Sequence, residues 1–272
     1  MIESSLSPNF LCMEDTNLSH SINSLFDYEA EEASTLVFIG SEKRFVPPCE
    51  YHSRLTSSAV DVAARESSIE WILKVHEYYG FQPLTTYLAV TYLDRFLSTG
   101  RLPKEEGWPM QLLSVACLSL AVKMEETVVS SICDLQVGIP KYVFEAKTIR
   151  RMELLVLRLL DWRLRSVTPF NFIEFFAHKV DLVGEFLGFL KLRASQIILS
   201  FIKESSLLLY FPSSIAASAI LCAVSEIPKL PQLAVEEVGS WCDGLSKENI
   251  AGCYDLMRDL RVSRKRKVDV YL

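Results

Sequence analysis

The sequence predicts an all-α protein of two tandem five-helix domains behind a disordered N-terminal arm, and three observations carry that expectation. Glycine is scarce, ten in 272 residues, and no Asn-Gly or Asp-Gly turn joins two alternating stretches, which argues against a β-rich fold. Apolar residues recur at helical rather than strand spacing through most of the chain. Two segments rich in Ala, Ser and Cys, Leu112 to Val122 and Ile215 to Val224, are apolar on nearly every side, as a helix enclosed by others must be.

The elements follow in order. Up to about Pro48 the chain is Ser, Asn, Glu and Asp with scattered apolar residues, too little to bury, and reads as an arm. A first helix carries Val62, Ile69, Ile72, Leu73 and Val75 and stops near Gly80; a second opens on Pro83 and ends at Gly100. The apolar segment around Leu112 to Val122 makes a central third helix. A short fourth falls at "SSICDLQV", and a long fifth runs through "IRRMELLVLRLL" to about Trp162. The second half repeats the plan: "FNFIEFFAHKV", a long helix from Leu187 to Leu208, "PSSIAASAILCAVSEI", "AVEEVGSWCDGL", and a last helix capped by Ser246 with Asn249 as an imperfect box partner.

Composition excludes several classes of function. The longest apolar runs fall short of the roughly 18 to 20 residues of a membrane span, and no lysine or arginine precedes Lys43, so no targeting leader fits. Seven cysteines with no C-x-x-C pair and four histidines support neither a disulfide framework nor a zinc site. A net charge of −6 argues against general nucleic-acid binding. Charge is uneven: the arm is acidic, whereas Arg261, Arg264, Lys265, Arg266 and Lys267 crowd the other end. No phosphate loop, nucleophile elbow or metal-ligand spacing occurs, so neither catalysis nor a cofactor is expected.

Two charges stand out. Lys123 interrupts an apolar helix, where its amine either satisfies the orphan carbonyls of the helix end or reaches those of a partner; the pattern favours the first. Glu153 lies in "IRRMELLVLRLL", where Met152, Leu155, Val156 and Leu159 suffice for a core stripe and Leu157 is left over on another face. An acid beside a surplus leucine reads as an interface.

Together "ARESSIEWILKVHEYYGFQPLTTYLAVTYLDRFLS", "LLSVACLSLAVKMEET" and "RRMELLVLRLLDWRLRSVTPFNFIEFF" resemble the cyclin box of plant D-type cyclins. The resemblance spans roughly Ser53 to Val262. It implies residues 1–52 as the disordered acidic arm, 53–164 as the N-terminal cyclin box, 165–262 as the C-terminal box and 263–272 as a basic tail. It also implies a non-enzymatic subunit that activates a cyclin-dependent kinase at the G1/S transition, with an A-type plant kinase as partner and kinase inhibitor proteins as further partners. Lys123, Glu126, Glu153, Leu157 and Trp162 match kinase-contact positions, where a bistable helix of the kinase is held in its active place. The competing readings are a non-activating scaffold of the same fold and a transcription-linked relative.

Three further features follow from the resemblance. The docking patch for Arg-x-Leu substrates is degenerate: Arg65, Trp71 and Gln111 remain, but Ser67 and Ser68 replace apolar residues and Lys74 stands where an acid belongs, which repels the ligand's arginine. "FLCME" in the arm departs from Leu-x-Cys-x-Glu only in its first residue, so Phe10, Cys12 and Glu14 present alternate side chains to the pocket of a retinoblastoma-related protein. Exchanging leucine for phenylalanine there costs about 1 to 3 kcal/mol. The run Arg264, Lys265, Arg266 and Lys267 reads as a nuclear import signal or as a helix end complementing its dipole, placing the protein in the nucleus with a cytoplasmic share.

Overall fold

The computed structural model describes residues 31–57, 62–102, 107–128, 131, 133–138 and 142–270, with side chains as far as residue 263. Every regular element in that range is helical. The order is α1 (31–41), α2 (Cys49–Thr56), α3 (Val62–Tyr79), α4 (Pro83–Ser98), α5 (Trp108–Glu125), α6 (Ala146–Leu159), α7 (Phe170–Val180), α8 (Leu187–Ser200), α9 (Pro212–Val224), α10 (Val235–Val238) and α11 (Lys247–Val270).

Each half is organised around its small-residue helix. In the first, α5 touches α3, α4 and α6, and every residue from Leu112 to Val122 is buried. In the second, α9 touches α7, α8 and α11 and is buried along its whole length. Alanines and serines at these positions let the neighbours close in without leaving voids. Ser119 and Thr86 keep buried hydroxyls without a partner, a local cost of that close packing.

Four expectations are corrected. The predicted arm does not extend to residue 52: α1 lays Phe38 and Ile39 on the second core, with the Phe38 and Phe172 rings edge to face at 6.1 Å, and α2 buries Tyr51 and Leu55 in the first core. A few large apolar residues suffice because both lobes offer them pockets. The predicted fourth helix is a single turn among the described residues, closed by Asp134 N–H to Ser131 O at 2.9 Å and anchored by buried Leu135. The predicted long helix from Leu187 ends at Ser200, and a 3₁₀ segment, Ser205–Leu209, follows. Helix α6 stops at Leu159, short of Trp162. Asp161 N–H reaches Arg158 O at 3.2 Å and Trp162 N–H reaches Leu157 O at 2.9 Å, the paired closing bonds of a Schellman turn.

The lobes are tied together through buried charge. Asp94 accepts from Arg65 Nε and Nη2 at 2.7 and 2.8 Å and from the Tyr51 hydroxyl at 2.7 Å, while Arg65 Nη1 crosses to Lys203 O at 2.9 Å. Burial works against the charged guanidinium, but Asp94 more than offsets it and raises the Arg65 pKa. Glu42, 4% exposed, accepts from the backbone N–H and hydroxyl of Ser213, both at 2.9 Å, in the first turn of α9. Residues after the arm thus strap one lobe to the other.

Candidate functional site

The end of α5 meets α6 at Lys123 and Glu153. Lys123 Nζ donates to Glu153 Oε1 at 2.6 Å; the lysine side chain is 37% exposed and the glutamate 8%. The expected capping of α5 by Lys123 is replaced by this pair, because α6 brings a carboxylate within reach of the amine. The carboxylate is buried by its position one residue past Met152 on the core side of α6, while the amine stays at the rim. The arrangement can do no bond chemistry. It leaves the lysine amine partly exposed at the rim, beside half-buried Leu157.

The apolar pattern of α6 differs in detail from the expectation. The core stripe of α6 is Ile149, Met152, Val156 and Leu160. Leu155, expected in the core, is 43% exposed, and Leu154 is 47% exposed. Leu157 is half-buried against the first core. Ile149 was the missing signal: it starts the stripe one turn before Met152 and pushes Leu155 outward. Trp162 is 65% exposed. It follows Asp161 in the left-handed region, with φ of 52° and 58°, so the chain turns the indole outward at a conformation that L residues other than Asn and Asp rarely adopt.

Glu126 serves within the chain. Its Oε1 accepts from Gln82 N at 2.8 Å and from Thr85 Oγ1 at 2.5 Å, capping the first turn of α4 from the end of α5.

The docking trio is brought together only in part. Arg65 is 1% exposed and bound to Asp94, so its expected place in a surface patch is corrected to an interior tie; a guanidinium remains there only with a paired acid. Trp71 and Gln111 are half-buried, and both donate to the segment leading into α6. Trp71 Nε1 reaches Val137 O at 3.0 Å and Gln111 Nε2 reaches Tyr142 O at 2.8 Å. Phe10, Cys12 and Glu14 lie outside the described residues. The backbone of α11 runs through Arg264, Lys265, Arg266 and Lys267, whose side chains lie outside them too. Among the described residues no cluster of metal-binding side chains occurs, and no helix is long and apolar enough to cross a membrane.

Comparison with known proteins gives this architecture a class. Residues 35–165 match the cyclin N-terminal domain and 167–270 the cyclin C-terminal domain. A viral cyclin from herpesvirus saimiri has the same fold, at a TM-score of 0.63 and 17% identity, over 74% of this chain and 85% of that one. The fold is that of a cyclin, a non-catalytic regulatory subunit of cyclin-dependent kinases. The chain belongs more narrowly to the plant D-type cyclins. It is 55% identical to Cyclin-D1-1 of Arabidopsis thaliana, over 95% of this chain and 78% of that protein. It is 49% identical to Cyclin-D2-1 of Oryza sativa subsp. japonica, over 86% and 72%. The N-terminal match begins at residue 35, within α1, and takes in α2.

Proposed function

We propose that the chain activates an A-type plant cyclin-dependent kinase at the G1/S transition by seating the kinase's mobile helix against Lys123, Glu153, Leu157 and Trp162. The observation that carries this reading is the rim-and-core ion pair: Glu153 fixes the Lys123 amine, whose further N–H donors point the reading toward a partner's carbonyls. Exposed Trp162 and half-buried Leu157 supply apolar contact beside it. Holding one of two arrangements of a bistable helix requires only that the cyclin bind that arrangement better. The test is kinase activity toward a retinoblastoma-related fragment with wild type, Lys123→Ala and Glu153→Ala. Activation lost in both variants supports the assignment; wild type that binds the kinase without activating it supports the scaffold reading.

Recruitment of a retinoblastoma-related protein through Phe10, Cys12 and Glu14, and nuclear import through Arg264 to Lys267, complete the proposal. Phe10→Leu is expected to tighten the first, because it restores the branched side chain of the family motif; an unchanged affinity removes the motif from the account.

A further inference from the structure

Helix α6 divides its surface three ways. Ile149, Met152, Val156 and Leu160 face the core, Glu153 and Leu157 form one flank, and the remaining outer face carries Lys147, Arg151, Leu154, Leu155 and Arg158 in successive turns. All five are exposed. Arg150, beside them, is exposed as well. None of these four cations makes an ion pair among the described residues, although exposed cations elsewhere do: Lys229 with Glu185 and Arg258 with Asp255. The helix holds a single carboxylate, Glu153, already paired and buried. In a chain of net charge −6, this is an unneutralised basic stripe with two exposed leucines at its middle.

We infer that this stripe binds an acidic segment of a partner protein, one whose apolar side chains sit between carboxylates. Lys147 to Arg158 spans about 16 Å along the helix, the reach of roughly five extended residues. Carboxylates at the ends would meet Arg151, Arg158 and Lys147, and arginine suits them through paired N–H donors. The central apolar group would cover Leu154 and Leu155, which a purely polyanionic ligand leaves in water. The stripe lies around the helix from Glu153 and Leu157, so it is a surface additional to the one assigned to the kinase. Its consequence is recruitment: an acidic sequence held here is tethered on the same helix as Glu153 and Leu157, next to the surface assigned to the kinase.

The test is fluorescence anisotropy with the full chain and a labelled Glu-Glu-Leu-Leu-Glu-Glu peptide. Binding is expected, weakening as salt rises, and falling about tenfold or more when the glutamates become glutamines or the leucines become serines. Arg151→Glu with Arg158→Glu should abolish it while kinase co-precipitation and the thermal transition stay at wild-type values, since both side chains face solvent. No binding by the wild-type chain overturns the inference. So does equal binding of the serine peptide or of a single-stranded oligonucleotide, which reduces the stripe to a general anion site. Loss of kinase co-precipitation in the charge-reversed variant also overturns it, by making the stripe part of the kinase interface; activation by Lys123 and Glu153 is scored separately.

Discussion

Lys123 and Glu153 share one short ion pair but unequal surroundings, the amine at the rim and the carboxylate nearly enclosed. Removing either partner therefore has different consequences for the fold. Lys123→Ala leaves a buried carboxylate without its cation and is expected to destabilise by about 1 to 3 kcal/mol. Glu153→Ala leaves a lysine that reaches water and costs less. Chemical denaturation of the two variants checks the order; if Glu153→Ala proves the more damaging, the carboxylate packs as a core element and the pair is not an interface device. Kinase binding should fall in both, because the partner meets the pair as a unit.

Much of this was legible in the sequence, and the gaps have physical causes. The helices α3, α4 and α5 were readable because Pro83, Gly80 and Gly100 punctuate them and because an all-round apolar helix has no other place to go. The end of α6 was not: Asp161 and Trp162 carry no glycine to announce the left-handed turn, and the apolar pattern continues straight through. Arg65 appeared as a surface residue because its partner, Asp94, lies on another helix, a relation that spacing along the chain cannot reveal. Helices α1 and α2 were hidden because their apolar residues are few and find partners only in the assembled lobes.

The Asp94 hub gives a sharper test of that hidden relation. Arg65→Met strands Asp94 in the interior, and Asp94→Asn strands the guanidinium; each is expected to cost about 3 to 5 kcal/mol. Arg65→Met combined with Asp94→Leu removes both charges and should recover much of the loss. Urea midpoints of the three variants decide it. A double variant as unstable as the singles would mean that the Tyr51 and Lys203 bonds, rather than the charge pair, hold the lobes.

Glu42 gives stability a pH dependence of unusual sign. Burial raises its pKa in the folded chain above 4.5, although the Ser213 bonds pull the other way. The folded state then holds the proton more tightly than the unfolded one, so the contribution of this group falls as pH rises from about 4.5 through the folded pKa. Above that window the ionised, desolvated carboxylate is a liability. Glu42→Gln keeps an acceptor for Ser213 N–H and lets the Ser213 hydroxyl accept instead; it should hold or raise the melting temperature at pH 7.5 and flatten this part of the profile. Glu42→Ala should lower it by orphaning the donors of α9. A Gln variant as unstable as the Ala variant would show that the charge itself is needed.

The left-handed pair at the end of α6 separates stability from partner binding within two adjacent residues. Asp161, φ 52°, is the position of the Schellman turn where glycine is the usual occupant, and Trp162, φ 58°, follows it. A bulky residue in that region costs about 1 to 2 kcal/mol. Asp161→Gly and Trp162→Gly are both expected to relieve part of it, less the extra freedom glycine gives the unfolded chain. Only Trp162→Gly removes the exposed indole. Thermal unfolding should rank both variants at or above wild type, while kinase affinity, read by titration calorimetry, should drop for Trp162→Gly and persist for Asp161→Gly. Equal affinities would mean that the indole's outward turn is a by-product of the helix stop and that the strained conformation has no part in recognition.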